Sequence, residues 1–535
     1  MRLPLLRTVA GAAVLIAVLT VLARLAGFGR IVVFGRTVGP TCLGDTYQAV
    51  NTLPNIAFEV VAGGALASLV VPLLAGAATT SDLARVRAGA SALLTWTLLV
   101  LTPLAVLLAV FAEPLTRALL SAKTGCGEDA VRVGSSMLRV FAPQVPLYGV
   151  GIVLTGVLQA NRRFGGPALA PLLSSLVVMA AYVTFALTAP RGADVATVST
   201  AEQLILSVGT TLGVVTLTLS LLWPLARTRL RLRPRLRFPA GMAARAAALA
   251  AAGTIGLAAQ QAAVAVTLLL ANGRGVPVGR MTAFTFAQTM FLLPWAILAV
   301  PIATSVFPHL AARWESGDRA GYTRSVARSL RVLLLACALA AAALIAAAEP
   351  AARVLLQGAP GRPSVTPLAV GIAALAPGLV GYGLYALLSR ALYAQGRAGL
   401  TAIVTVTGWG TVLAADLVLA QALPPADRVL ALAIGNSIGM TVLGGLLAIA
   451  VARRSGAPAF AGVGRAALAA VTGAVLATGA GLLAARALTG GGALAAVGQL
   501  ALVCLVVLGV FGAIVWWLCG SDLRALASRV GPRDA

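Results

Sequence analysis

Charged residues are scarce in this chain, and their scarcity argues against a soluble protein. Only 10% of the 535 residues are charged and 60% are hydrophobic, whereas a soluble domain carries roughly 25% charged residues. Histidine occurs once, at His309, and the five cysteines form neither a CxxC motif nor a Cys/His spacing typical of metal sites. No metal, cofactor or histidine-based catalytic triad is therefore expected.

Signatures of catalysis and of nucleotide hydrolysis are also missing. The sequence contains no GxxxxGK[ST] phosphate-binding loop, no nucleophile elbow and no pair of carboxylates placed for acid–base chemistry. The chain is therefore predicted not to be an enzyme. Any transport would draw its energy from an ion gradient, the membrane potential or turnover of the substrate.

Apolar runs of about twenty residues or more recur from one end of the chain to the other, and the mean hydropathy is +0.97. Each run is long enough to cross a hydrocarbon core of about 30 Å as a helix. They predict an all-α polytopic membrane protein with about 14 transmembrane helices. The predicted spans are 8–27, 46–75, 88–112, 133–159, 166–189, 203–225, 246–271, 282–310, 332–348, 366–393, 398–421, 428–451, 463–484 and 493–518.

The net charge of +25 is spread unevenly over the segments between these spans. With the N-terminus inside, the cytoplasmic segments hold most of the 40 Lys+Arg residues, which is the distribution of the positive-inside rule. It predicts a protein of the cell (plasma) membrane with both termini in the cytoplasm. The densest basic stretch, RTRLRLRPRLRF at 227–238, is expected to lie against anionic membrane lipid rather than to bind nucleic acid.

An internal repeat relates the two halves of the chain. AEPLTRALL at 112–120 corresponds to AEPAARVLL at 348–356, and YGVGIVLTGVLQANRR from Tyr148 corresponds to YGLYALLSRALYAQGR from Tyr382. Each copy holds six predicted spans, an even number, so both copies would cross the bilayer in the same orientation. In parallel repeats of this kind the substrate route lies between the copies.

The repeat predicts three structural regions. These are an N-terminal six-helix lobe at 1–226, a C-terminal six-helix lobe at 240–452 and an accessory hairpin of helices 13 and 14 at 460–520.

Ionisable residues near the N-terminus are the main candidates for a substrate site. Arg24, Arg30 and Arg36 precede Asp45 and Glu59, and a charge inside a membrane protein is costly enough to need a reason. Guanidinium groups that converge on a cavity would suit a diphosphate, because their planar fork donates paired hydrogen bonds to phosphate oxygens. Alternatively, the arginines snorkel to the outer interface and pair with the carboxylates.

A second set of candidates would line or bend the helices of a transport route. Proline and glycine at matching places in two halves often mark the moving helices of a transporter, although close packing of small residues explains them equally well. Arg390 either lines the same cavity or snorkels. The hinge or lining candidates are Pro54, Asn55, Gly63, Gly64 and Pro294.

Two cysteines are predicted to face the outside. Cys42 lies between the first two spans and Cys126 in the loop after the third. An oxidising compartment would allow them to form a disulfide, and two unpaired thiols are the alternative.

The segment from 22 to 74 resembles the N-terminal signature of the MurJ (MviN) lipid II flippases, within the multidrug/oligosaccharidyl-lipid/polysaccharide exporter superfamily. The segments that carry the resemblance are Arg24 before Gly27-Phe28 and Arg30, then Asp45, Leu53-Pro54-Asn55, Gly64-Ala65 and Val71-Pro72, with LQANRRFGGPALAP at 158–171 and SRALYAQG at 389–396. The resemblance implies a V-shaped pair of six-helix lobes around a cationic cavity, with Arg24, Arg30 and Asp45 as functional positions.

This sequence departs from the family pattern at three places. Ala23 stands where many members have serine, Phe58 and Glu59 stand where an arginine is common, and Thr289 falls on a family arginine. Two expected cavity cations are therefore missing, as in what looks like the actinobacterial branch of the family.

Together these observations predict a flippase that moves a polyprenyl-diphosphate-linked glycan, with lipid II as the leading substrate, from the inner to the outer leaflet by alternating access. Its partners would be that lipid-linked glycan, membrane lipids and cell-wall synthesis proteins. The alternatives are a transporter of another lipid-linked glycan, a drug/cation antiporter of the same superfamily and a non-transporting cell-wall scaffold.

Overall fold

The computed structural model describes residues 9–63, 83–120, 125–161, 163–190, 192–228, 232–239, 242–487 and 492–527. Within these ranges every regular element is a helix. The predicted all-α class is confirmed.

Two compact units make up the chain. The first comprises Met1–Thr282 with Gly358–Pro363, and the second comprises Ala283–Gln357 with Ser364–Ala535. These bounds follow compactness rather than the repeat, so the lobe boundaries read from the sequence stay a prediction.

The first unit contains ten complete helices among the described residues. They are α1 (Val9–Thr37), α2 (Cys42–Phe58), α3 (Leu83–Val110), α4 (Ala112–Leu120), α5 (Gly127–Phe141), α6 (Gln144–Ala160), α7 (Gly165–Thr188), α8 (Thr200–Ser220), α9 (Leu222–Ala226) and α10 (Met242–Ala271). Helix α7 packs against both α1 and α8, α3 packs against α6, and α2 packs against α5.

The remaining helices belong to the second unit, apart from the first three residues of α11. They are α11 (Arg280–Pro294), α12 (Val300–Glu315), α13 (Arg319–Ala346), α14 (Ala348–Leu356), α15 (Thr366–Leu375), α16 (Gly378–Ala394), α17 (Ala398–Ala422), α18 (Arg428–Ser455), α19 (Val463–Ala487) and α20 (Ala493–Ala527). Helix α18 packs against α16 and α17, and α13 packs against α19, which pairs with α20.

The described helices account for most of the predicted spans. Twelve are long and apolar enough to cross a membrane, or thirteen if the pair Thr366–Leu375 and Gly378–Ala394, bent by 42°, forms one span. The predicted span 46–75 extends beyond the described residues, so the total of fourteen stays a prediction. Helix α1 continues to Thr37, ten residues past the predicted end, because apolar residues alternate with the arginines through this stretch.

Glycines allow neighbouring helices to approach closely in both units. A Cβ added at Gly213 of α8 would collide with the Val178 side chain of α7, and one added at Gly381 of α16 would collide with the Met440 carbonyl of α18. In a membrane, where helices gain no hydrophobic energy by leaving lipid, such close contact supplies much of the packing energy.

The internal repeat appears in the helices as well as in the sequence. Helices α4 and α14 each have nine residues and begin with Ala-Glu-Pro. A five-residue π-helical turn follows α2 at Glu59–Gly63, and another follows α11 at Trp295–Ala299. Both pairs are offset by 236 positions, so the duplicated unit carries the same irregular turn at the same place.

Substitution of Gly381 by valine should disrupt the contact between α16 and α18. The new side chain would meet backbone atoms that cannot rotate away, at a cost of roughly 1–3 kcal/mol or more. Thermal unfolding of the purified protein should show a lower Tm for G381V. Gly445→Val is the matched control, because no atom lies within contact distance of a Cβ there, and equal Tm values for the two variants would contradict the packing argument.

Candidate functional site

The three arginines of α1 do not share one face of the helix. Arg24, Arg30 and Arg36 are spaced six residues apart on a continuous helix, and each step rotates the side chain by about 240° at 3.6 residues per turn. Arg24 and Arg36 are exposed, whereas Arg30 is half-buried. The helix alone therefore does not make the three guanidinium groups converge, and Arg30 is the one that faces the interior of the first unit.

Arg30 borders a buried cluster of hydroxyl groups. The Tyr47 hydroxyl lies 2.7 Å from that of Tyr182 and 2.6 Å from Thr210 Oγ1. Arg30 is close enough to Tyr47 and Tyr182 to act on their hydroxyls electrostatically. The ring of Phe34, one turn after Arg30, packs on both tyrosine rings with centroids 5.1 Å apart. It covers one side of the hydroxyl cluster.

A second polar pair lies near the end of α2. Tyr148, whose hydroxyl interacts electrostatically with Arg30, donates a 2.8 Å hydrogen bond to Gln144 Oε1. The Phe58 ring packs on Tyr148 with ring centroids 5.7 Å apart. Glu59 is the residue that follows Phe58 in the chain.

Glu59 opens the π-helical turn that follows α2. Its side chain is half-buried and lies over Gly63, where an added Cβ would collide with the carboxylate. Among the described residues no hydrogen bond or ion pair involves the Glu59 carboxylate, whereas the Glu59 N–H bonds the Asn55 and Ile56 carbonyls. Gly63 therefore provides the space that the Glu59 carboxylate occupies, while Gly64 lies outside the described residues.

Pro54 and Asn55 lie inside α2. Pro54 is buried and Asn55 is exposed. The proline lacks the N–H that would bond the carbonyl four residues earlier, and the π-helical turn begins five residues later. The two irregularities together weaken the backbone hydrogen bonding of this helix end, which is the property the hinge prediction requires.

Asp45 is fully buried, and its carboxylate caps the start of α11. Oδ2 accepts a 2.6 Å hydrogen bond from Gly279 N, and Oδ1 accepts 2.8 Å hydrogen bonds from both the amide and the hydroxyl of Thr282. The first amides of a helix have no partner within the helix, and a negative charge is favourable there. These contacts give Asp45 a role that the sequence did not suggest.

The first turn of α2, which carries Asp45, is fixed by several further contacts. The Thr41 hydroxyl accepts a hydrogen bond from Gly44 N, and the Asp194 carboxylate accepts one from Leu43 N at 2.8 Å. Cys42 forms a disulfide with Cys126, with their Cα atoms 5.6 Å apart. The disulfide considered from the sequence is therefore present, and α2 starts from a rigid position.

In the second unit, Pro294 is followed directly by the π-helical turn Trp295–Ala299. The Trp295 ring stacks on Tyr382 at 4.5 Å, and its Nε1 donates to the Tyr382 carbonyl at 3.2 Å. Tyr382 is the repeat counterpart of Tyr148. Both units thus place a repeat-related tyrosine beside the π-helical turn, with Phe58 and Glu59 in the first unit and tryptophan in the second.

Arg390 is half-buried on α16 beside this aromatic group. Its Nη1 donates a 2.6 Å hydrogen bond to the Ala386 carbonyl one turn earlier. Tyr385 and Tyr393 lie near enough to interact with its charge. The contact with its own helix orients the guanidinium along α16.

The structure shows two buried ionisable residues that are not among the candidates from the sequence. Asp416 on α17 is 1% exposed and lies against Gly435, where a Cβ would collide with Oδ1. Arg428 is 7% exposed and donates to the Ala420 carbonyl at 2.6 Å. For Asp416, a single charge within an apolar run was the available signal. Among the described residues, no cluster of three or more His, Cys, Asp or Glu could hold a metal ion.

Comparisons with known proteins agree with the resemblance noted in the sequence. The family profile described as lipid II flippase MurJ matches residues 34–502. A lipid II flippase MurJ from Burkholderia cenocepacia is 26% identical over 384 residues, which cover 70% of this chain and 71% of that protein.

Solved structures show the same fold. A lipid II flippase MurJ in an inward closed conformation aligns with a TM-score of 0.72 and 17% identity, over 94% of this chain and 99% of that chain. An inward-facing multidrug resistance MATE family transporter of the MOP superfamily aligns with a TM-score of 0.64 and 15% identity, over 83% and 98%. At these identities the likeness concerns the fold alone.

Substitution of Asp45 by asparagine should destabilise the protein. The amide group would turn an N–H toward a backbone donor and remove the charge, and the loss of charge-assisted hydrogen bonds in a buried place costs roughly 2–3 kcal/mol. A lower Tm in detergent would show this. Asp427→Asn is the control, since Asp427 is exposed, and an unchanged Tm for D45N would contradict the capping role.

Proposed function

The chain belongs to the MurJ lipid II flippase family, and from this membership we propose that it moves a polyprenyl-diphosphate-linked glycan, the peptidoglycan precursor lipid II, from the inner to the outer leaflet by alternating access. It is a multi-pass membrane protein, and transport rather than enzymatic turnover is its activity. The family profile, which spans residues 34–502, is the observation that carries this proposal.

The chemistry of such a substrate sets what the protein must supply. A diphosphate carries about two negative charges, and an isolated ion in hydrocarbon loses hydration worth many kcal/mol. Fixed guanidinium groups in a water-filled cavity would replace that hydration with charge-assisted hydrogen bonds. The polyprenyl tail can stay in the lipid throughout.

We assign the diphosphate contact to Arg30 and Arg24. Arg30 is supported by its half-buried place beside the hydroxyl cluster of Tyr47 and Tyr182. Partial burial lowers the effective dielectric constant around Arg30 and so strengthens the attraction between this cation and a phosphate. Arg24 is exposed on another face of α1, where it would meet the headgroup before or after Arg30 does.

The other predicted site residues take supporting parts in this proposal. Glu59 would balance the arginine charge when no substrate is bound, and Arg36 and Arg390 would each attract the anionic headgroup. Asp45 acts through the cap of α11 and not as a ligand of the diphosphate. The bends at Pro54 with Asn55 and Gly63, and at Pro294, would let the two helices change shape during transport, as would Gly64.

The proposed orientation places both termini in the cytoplasm of a cell whose plasma membrane holds the protein. Cell-wall synthesis proteins that use the flipped glycan are proposed partners at the outer surface.

Removal of either arginine should abolish flipping. Arg24→Ala and Arg30→Ala are expected to reduce lipid II transport in proteoliposomes to the background rate, because the diphosphate loses its paired hydrogen bonds. Arg→Lys keeps the charge without the planar fork, so each lysine variant should retain part of the activity.

The matched control is Arg117→Ala. Arg117 is exposed on α4, where hydrogen bonds to Glu113 and Glu128 raise the pKa of its guanidinium. This variant should transport lipid II normally. Normal transport by both R24A and R30A would overturn the cation mechanism, and export of cationic drugs with no flipping would favour an antiporter.

The orientation is tested by introducing single cysteines at exposed loop positions of the protein and labelling them in intact cells. Ala196→Cys lies between α7 and α8 and should react with a membrane-impermeant maleimide. Pro234→Cys lies in the basic segment before α10 and should react only after permeabilisation. Both positions are exposed, so the reverse pattern would mean that the termini are outside.

A further inference from the structure

The basic segment before α10 is not a free loop in the structure. Residues 232–239 belong to no helix and run alongside α3. The contacts are Arg233 N to Ser91 Oγ at 3.1 Å, Arg235 N to Thr95 Oγ1 at 2.9 Å and Trp96 Nε1 to the Leu236 carbonyl at 2.9 Å. The segment is therefore attached to the helix through its backbone.

The spacing of these contacts has a simple geometric cause. One turn of helix, from Ser91 to Thr95, rises about 6 Å at 1.5 Å per residue. Two residues of extended chain, from Arg233 to Arg235, advance about 6.6 Å. Hydroxyls four residues apart on α3 therefore match alternate amides of the segment.

The backbone attachment leaves the arginine side chains available. In the sequence, Arg233, Arg235 and Arg237 alternate with Pro234, Leu236 and Phe238. Because successive side chains of an extended chain point to opposite sides, the three arginines would share one side. All three are exposed, and Arg235 Nε bonds the Arg237 carbonyl at 2.9 Å. Arg87, one turn before Ser91 on α3, is also exposed. The result is a line of cations held at a fixed place.

An apolar groove of about 490 Å³ lies directly beside these cations. Its walls come from α3 and from the segment itself. Leu94, Leu98, Leu99 and Pro103 of α3 line the groove together with Leu232 and Arg233 of the segment. Leu98 and Leu99 are 40% and 53% exposed, so the groove opens to the surroundings of α3.

The exposed Trp96 lies where the segment meets the groove. Its ring is 43% exposed, and its N–H donates a hydrogen bond to the Leu236 carbonyl of the segment. A cationic row joined to an apolar groove matches one molecule, with an anionic head and a hydrocarbon tail.

We propose that this groove is a binding site for an anionic phospholipid, with its phosphate on Arg233 and Arg235 and one acyl chain along Leu98 and Leu99. Phosphate oxygens accept the paired hydrogen bonds that guanidinium groups donate. The bound lipid would hold the segment against α3 in addition to the serine and threonine contacts. The site is separate from the arginines of α1, and the proposal does not depend on what the protein transports.

Native mass spectrometry of the detergent-purified full-length protein tests the proposal. Dioleoylphosphatidylglycerol and dioleoylphosphatidylcholine, which differ in headgroup charge, are titrated separately, and the Kd of the first bound lipid is measured. Because an arginine near an anionic surface contributes about fivefold in affinity, the phosphatidylglycerol should bind at least about tenfold more tightly.

Three variants separate a built site from general positive charge. The triple variant R233A/R235A/R237A should lose at least about tenfold in phosphatidylglycerol affinity, whereas R324A/R453A/R454A, which removes three other exposed arginines, should bind it normally. The variant S91A/T95V keeps every charge but removes the hydroxyls that hold the segment, and it should also bind more weakly.

The outcomes against the proposal are equally definite. Equal losses in the two triple variants, or unchanged binding by S91A/T95V, would mean that the attraction is diffuse charge without a built site. Displacement of the lipid by millimolar inorganic phosphate would mean that the site recognises a free anion. Equal affinity for the two phospholipids would overturn the headgroup assignment.

Discussion

The buried carboxylate of Asp45 is the contact on which the arrangement around α2 depends. The amides at the start of α11 cannot turn to water inside a membrane protein, so they need an acceptor from another helix. Asp45 supplies that acceptor to Gly279 and Thr282. Its position is in turn set by the disulfide of Cys42 and by the Asp194 carboxylate that holds the adjacent amide. A covalent bond at the start of α2 thus fixes the position of a buried hydrogen-bonded cap.

The two copies of the repeat share an irregular helical turn, but the side chains around that turn differ. Both copies carry a π-helical turn at equivalent positions, and such turns are frequent at functional sites. In the first unit the turn begins with Glu59, near the polar pair of Tyr148 and Gln144. In the second it begins with Trp295, stacked on Tyr382. The first unit therefore offers charge and hydroxyl groups, and the second offers an aromatic surface.

The departures from the family pattern have a structural meaning. Phe58, which stands where an arginine is common, is buried and packs on Tyr148. Thr289 donates its hydroxyl to the Thr285 carbonyl at 2.9 Å, as a threonine inside a helix does. The Phe58 ring and the Thr289 hydroxyl thus contact neighbouring residues and supply no positive charge. The proposed cationic function therefore falls on the arginines of α1, and Arg30 is best placed for it.

The helical membrane class, the repeat, the family and the cysteine pair as a candidate disulfide could all be predicted from the sequence. These follow from run length, periodic identity and charge distribution, which are local or additive properties of the chain. Only the fold shows that Asp45 caps α11, that Arg30 lies near the hydroxyl cluster, and that the basic segment lies along α3. Those facts join residues up to 237 positions apart, and no local pattern specifies which acceptor a distant amide will find. The physical reason is that a helix fixes only its own hydrogen bonds, while its ends and its polar side chains are satisfied by whichever neighbours the packing brings near.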